Sequence, residues 1–112
     1  MKYLITGGAG FIGTALSNRL ANLGHSVTVL DDCSTGDPKQ LLPDIKFCKG
    51  NVADKTVLWT LLKDVDCVFH LAARVSVPES MLFPSGYNFV NVSGTVTLME
   101  AVRDTRVKRV VL

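Results

Sequence analysis

The chain has 112 residues, 47% of them hydrophobic and 20% charged, and a net charge of +2. That is enough apolar material for one domain with a real core over 1–112, and too little excess charge to argue for a nucleic-acid or membrane-surface partner. Cys33, Cys48 and Cys67 are widely spaced and His25 and His70 are isolated, so no metal site is expected and the thiols read as reduced, as in a cytoplasmic protein.

Met1-Lys2 runs straight into an apolar segment, with no signal peptide pattern, and no apolar run reaches membrane-spanning length. A strand is expected over 2–6, followed by Thr6-Gly7-Gly8-Ala9-Gly10-Phe11-Ile12-Gly13. The three spaced glycines have separate tasks. Gly7 ends the strand in a tight turn, Gly10 leaves room for a close approach to a diphosphate, and Gly13 lets the next helix pack on the strand. A helix N-terminus there presents free N–H groups and a positive dipole end to phosphates. The helix is expected over 11–23, with Ile12, Leu16, Leu20 and Leu23 on its buried stripe and Gly24 at its C-terminal cap. A second strand, 26–30, runs into Asp31-Asp32, and Asp31 lies 18 residues past Gly13. A carboxylate at that strand tip accepts hydrogen bonds from ribose hydroxyls, though Asp31 as a plain loop cap is the alternative. The Asp31-Asp32 pair repels a 2′-phosphate and no Arg follows in 32–38, which favours NAD over NADP.

After a loop over 32–44, the pattern continues with a strand at 45–48, a helix at 55–63, a strand at 66–71, a loop at 73–83, a helix at 84–104 and a strand at 107–112. Trp59, beside Leu58, Leu61 and Leu62, reads as core, and His70 as a packed strand-end residue. Lys46 and Lys49 flank Phe47 and suit a sheet edge, as the third strand has in the doubly wound order 3-2-1-4-5. Alternating strands and helices with near-continuous apolar strands predict an α/β fold, a doubly wound parallel sheet of Rossmann type truncated after about five strands. Asn91, Thr95, Leu98 and Val102 share one helical stripe, so Asn91 is expected buried and hydrogen-bonded.

Further segments join these: Leu30-Asp31-Asp32-Cys33-Ser34-Thr35-Gly36, Gly50-Asn51-Val52, His70-Leu71-Ala72-Ala73, Ser76-Val77-Pro78-Glu79-Ser80 and Asn91-Val92-Ser93-Gly94-Thr95. Together they resemble, over the whole chain, the extended short-chain dehydrogenase/reductase family, and within it the NAD-dependent sugar-nucleotide epimerases and dehydratases of UDP-glucose 4-epimerase type. The resemblance implies that Gly7, Gly10, Phe11, Ile12 and Gly13 hold the NAD diphosphate and Asp31 the adenosine ribose. It places Asp32, Ser34, Thr35 and Gly36 at the same end of the cofactor, with Asn51 and Val52 flanking adenine. Asn51 departs from the Asp usual in the family, but its amide both donates and accepts, as adenine requires. Leu71, Ala72 and Ala73 run beside the cofactor's middle, Asn91 ties helix to strand ends near the nicotinamide, and Ser76 and Val77 lie near the nucleotide-sugar substrate. Simpler readings stay open at several of these: Asn51 as a turn residue, Leu71-Ala72-Ala73 as ordinary core, Ser76 and Val77 as plain loop.

The family's acid/base is a Tyr with Lys four residues on. Tyr3 and Tyr87, the two tyrosines here, are each followed at that spacing by another residue, Gly7 and Asn91. The chain is therefore expected to be the NAD-binding N-terminal part of a longer epimerase, inactive alone, its parent a homodimer through helix 84–104. Another extended-family dehydratase, decarboxylase or dehydrogenase, or a non-catalytic dinucleotide-binding module, is the alternative.

Overall fold

The computed structural model describes all of residues 1–112. Five strands, β1 (Lys2–Thr6), β2 (Ser26–Asp31), β3 (Lys46–Lys49), β4 (Cys67–His70) and β5 (Arg109–Val111), form one sheet in the order β3-β2-β1-β4-β5. Every pairing is parallel. Helix α1 (Phe11–Asn22) joins β1 to β2, and α2 (Lys55–Leu61) joins β3 to β4. Between β4 and β5 lie α3 (Val77–Leu82), α4 (Pro84–Asn88), a π turn (Phe89–Ser93) and α5 (Gly94–Arg103).

Strand pleating sends alternate side chains to opposite faces, and the core divides accordingly. Leu4, Leu30 and Val68 face one side with Leu58, Leu62, Leu98 and Ala101 beneath α2 and α5. Ile5, Val27 and Val29 face the other, against Leu16, Leu20 and Ala21 of α1. Thr6 is level with Leu30 on one neighbour and with His70 on the other, so three strands end together. From β1 the chain winds outward through β2 and β3, then returns to β4 on the other side. The order reverses between β1 and β4, the place where doubly wound sheets open a ligand crevice.

Four expectations need correction. In α1, Ile12 and Leu23 are exposed, while the small residues Gly13, Thr14 and Ser17 are buried. The start of the helix lies so close to the glycine turn that only small side chains fit there, whereas Leu16 and Leu20 pack against the sheet as expected. The expected loop 73–83 contains α3, because Ser76 caps it by accepting from the Glu79 N–H and Pro78 suits its first turn. The expected helix 84–104 is interrupted by the π turn, beyond which Gly94 sits against Val52, where an added Cβ would lie 2.7 Å from a Val52 methyl. Trp59 is half exposed, on the outer face of a two-turn helix whose inner face is Leu58 and Leu62. The lysine-flanked β3 is a sheet edge, as expected, and β5 is the other.

Candidate functional site: a cleft at the strand ends

The cleft opens where β1, β2 and β4 end. Its floor is the glycine turn. Gly7 has φ +70°, and a Cβ there would lie 2.7 Å from the Ala72 nitrogen, so glycine is required both for conformation and for space. A Cβ on Gly13 would overlap the Gly7 carbonyl oxygen, which is why α1 can start directly on the turn. Gly10 differs: a Cβ would meet only the Gly7 oxygen, at 3.4 Å, because Gly10 faces the open cleft. It is also the N-cap of α1, with no side-chain cap and no acidic residue in the first turn. The N–H groups of Phe11, Ile12 and Gly13 therefore lack intrahelical partners and sit at the positive end of the helix dipole. Phe11 and Ile12 send their side chains into solvent, so what they offer a ligand is backbone.

Asp31 clamps one end. Its carboxylate accepts the Ala9 N–H at 3.0 Å and the Cys33 N–H at 2.9 Å, binding the glycine turn to the loop after β2. The capping and ligand-accepting readings of Asp31 are compatible, because a carboxylate has lone pairs left after two such bonds. Asp32 accepts the Ser34 N–H at 2.9 Å, and Cys33 between them takes a left-handed φ of 62°. Asp31, Asp32, Ser34 and Thr35 all line the cleft. Gly36 does not; it packs behind the wall, where a Cβ would lie 2.6 Å from the Ala9 carbonyl oxygen. Asn51 and Val52 line the cleft from the end of β3, with the Asn51 side chain accepting the Ala53 N–H at 2.8 Å and Val52 anchored in the core.

The far wall is Leu71, Ala72 and Ala73, and a buried polar chain sets its position. Thr6 Oγ1 accepts the N–H groups of Leu71 and Ala72, each at 3.2 Å. With those lone pairs used, its hydroxyl donates to His70 Nδ1 at 2.7 Å. His70 then carries its proton on Nε2 and donates to Thr95 Oγ1 at 2.9 Å, and that hydroxyl donates to the Asn91 carbonyl at 2.8 Å. Burial holds the His70 pKa below the ordinary 6.5, which keeps the ring neutral and the chain of donors intact. One polar line thus joins β1, β4 and α5 behind the wall.

Asn91 is exposed rather than buried, because the π turn that carries it lies on the surface. It nevertheless ties helix to strand end: its Oδ1 accepts the Arg74 N–H at 2.8 Å and its Nδ2 donates to the Arg74 carbonyl at 3.0 Å. Ser76 donates its N–H to the Tyr87 hydroxyl at 3.1 Å and caps α3, and Val77 is exposed; neither lines the cleft. Leu30, Gly50, Arg74 and Val90 also line it, although the sequence assigned none of them a role. Leu30 and Gly50 open segments that carry the resemblance and Arg74 follows another, so proximity to those segments was the available signal; Val90 looks like an ordinary core residue.

The model of the NAD dependent epimerase/dehydratase family matches residues 3–112. The chain belongs to that family. Among this family's curated members, the UDP-glucose 4-epimerase of Lactobacillus helveticus is 40% identical over 99% of this chain and 34% of its own length. The solved UDP-glucose 4-epimerase of Thermotoga maritima, with UDP-glucose, superposes with a TM-score of 0.93 at 33% identity, over 98% of this chain and 36% of that one. The dTDP-glucose 4,6-dehydratase of Streptomyces venezuelae, with NAD bound, gives 0.91 at 34% identity, over 98% of this chain and 38% of that one. The chain thus spans about a third of the length of the epimerases and dehydratase it matches.

Proposed function

We propose that residues 1–112 are the NAD-holding part of a sugar-nucleotide epimerase of UDP-glucose 4-epimerase type. The carrying observation is the cleft at the switch point, where an uncapped helix N-terminus, a glycine floor and a strand-tip carboxylate face one opening. These residues fit the cofactor. The backbone at Gly10, Phe11, Ile12 and Gly13 holds the diphosphate, Asp31 takes the adenosine ribose, and Leu71-Ala72-Ala73 flank the middle. Asn51 and Val52 flank adenine, with Ser34 and Thr35 at the same end. The carboxylates of Asp31 and Asp32 exclude a 2′-phosphate and select NAD over NADP. When bound, NAD supplies a reversible hydride acceptor for C4 of the sugar.

The chain alone catalyses nothing. Neither tyrosine has a Lys four residues on, and each hydroxyl is placed elsewhere: Tyr3 beside Met1, Tyr87 on the Ser76 N–H. The complete enzyme binds its nucleotide-sugar near Ser76 and Val77 and works as a cytoplasmic homodimer. In support of the dimer, Phe89, Val92, Val96 and Met99 follow helical spacing and are each about half exposed, an apolar stripe suited to a second copy. A dehydratase is the second reading, since a 4,6-dehydratase superposes on this chain almost as well as the epimerase does.

Calorimetric titration of the chain with NAD⁺ and NADP⁺ tests the proposal. Saturable binding that favours NAD⁺ and is lost in Gly10→Val and Asp31→Ala is expected, with no C4 epimer formed from UDP-glucose. A folded chain that ignores NAD⁺ overturns it.

A further inference from the structure

Three charged side chains line the cleft, and two of them are the carboxylates of Asp31 and Asp32. The third, Arg74, is the cleft's single cation, and its surroundings are unusual. Both backbone polar groups of Arg74 are held by the Asn91 amide, at 2.8 and 3.0 Å, so the point from which its side chain departs is fixed. The guanidinium itself is poorly held. One terminal nitrogen meets Glu79 Oε1 at 3.3 Å, and the two side chains are 38% and 46% exposed, a geometry in which an ion pair contributes little. Its Nε is buried and has no hydrogen-bond partner. Buried donors are nearly always paired, and a guanidinium presents its N–H groups as a fork that matches two oxygens of one phosphate. The same cleft holds Gly10 and the uncapped start of α1, which can hydrogen-bond a diphosphate but carries only a partial charge against its negative charge.

We propose that Arg74 is a phosphate-binding residue of this cleft, released from Glu79 to pair with the diphosphate of a bound dinucleotide. The assignment rests on the NAD reading and adds the full positive charge that the glycine turn lacks. Glu79, at the start of α3, is the competing partner that occupies Arg74 until the diphosphate arrives. A diphosphate is also carried by a nucleotide-sugar, so the test separates the two sources.

The experiment is an NMR shift titration of the 112-residue chain and its Arg74→Ala, Arg74→Lys and Glu79→Gln variants. The probes are NAD⁺, adenosine, which has no phosphate, and UDP-glucose; thermal melts check that each variant is folded. Arg74→Ala is expected to weaken NAD⁺ on the order of tenfold, the effect of losing one charge-assisted hydrogen-bonding partner, while adenosine affinity stays unchanged. Arg74→Lys keeps part of the affinity, and Glu79→Gln tightens NAD⁺ by freeing the guanidinium. NAD⁺ binding by Arg74→Ala within about twofold of the parent chain, equal weakening of adenosine, or a loss confined to UDP-glucose each overturns the assignment while leaving the cofactor reading intact. Failure of the parent chain to bind NAD⁺ overturns both.

Discussion

At the glycine turn, Gly7, Gly8 and Gly13 leave no room for even a methyl group, whereas across the cleft α3, α4 and the π turn contain no buried residue between them. The first region is held by steric closure: backbone lies on backbone, and α1 covers it with Gly13, Thr14 and Ser17. The second is held by a few directional bonds, Asn91 to Arg74, Tyr87 to Ser76 and Ser76 to Glu79, while Met81, Leu82 and Phe83 face solvent. The difference teaches how one cleft can have a rigid floor and, beside its far wall, a more readily opened flank. Local opening is cheap where few apolar side chains are buried and costly where packing is close. It also fits the proposals above, in which backbone at the floor holds the diphosphate and Arg74, tied to the π turn by Asn91, is released from Glu79 on α3.

Substitutions graded by region test that contrast. The largest effect is expected for Gly13→Ala, whose methyl would overlap the Gly7 carbonyl and approach the Gly8 Cα at 2.6 Å, both backbone atoms that cannot turn aside. A loss of about 3 kcal/mol in urea denaturation is expected, together with loss of NAD⁺ binding. An unchanged midpoint would show that the floor is not rigid.

An intermediate effect is expected from pH, through His70, which joins the two regions. Its folded-state pKa lies below 6.5 because of burial, so the unfolded chain takes up a proton that the folded chain resists. The stability is complete above pH 6.5 and falls as the pH is lowered through that value towards the folded-state pKa. Asp66, lowered first by the Lys2 N–H, and Glu100, lowered first by its hydrogen bond from Lys55, lose their contributions only as pH falls below their ordinary 3.8 and 4.5. Melting temperatures between pH 8 and 5 should therefore decline in the parent chain and stay flat in His70→Asn. A parallel decline in both would place the acid sensitivity elsewhere. The smallest effect is expected for Leu82→Ser on α3, where the side chain is 74% exposed. Stability should stay within about 0.5 kcal/mol, and a larger loss by thermal denaturation would show that α3 is more firmly packed than its exposure implies.

Much of the frame was legible because its signals are local. Apolar runs located the strands, the lysines beside Phe47 marked an edge, and Gly7 and Gly24 stand where backbone with positive φ is needed. The cleft residues of the floor were legible for the same reason: glycine spacing and a carboxylate after a strand carry their geometry in the order of residues. The flank formed by α3 and the π turn was less legible. Ser76 carries a cap signal, but a six-residue helix is shorter than hydrophobic periodicity can detect, so α3 was missed. The π turn leaves no mark in the apolar pattern, so Asn91 was placed on a buried stripe although it lies on the surface.

By itself, the sequence determined where the chain must turn, which segments are strands, and which residues end them with glycine or carboxylate, since these depend on the sterics and hydrogen-bonding capacity of a few neighbours. Only the tertiary structure decided that Gly13, Thr14 and Ser17, not Ile12 and Leu23, join Leu16 and Leu20 on the covered side of α1, that His70 is a neutral link between Thr6 and Thr95, and that Arg74 is the cleft's lone cation with an unpaired Nε. The physical reason is distance along the chain. His70 lies 64 residues from Thr6 and 25 from Thr95, and no local pattern records a partner that only the closing of the sheet brings within hydrogen-bond reach.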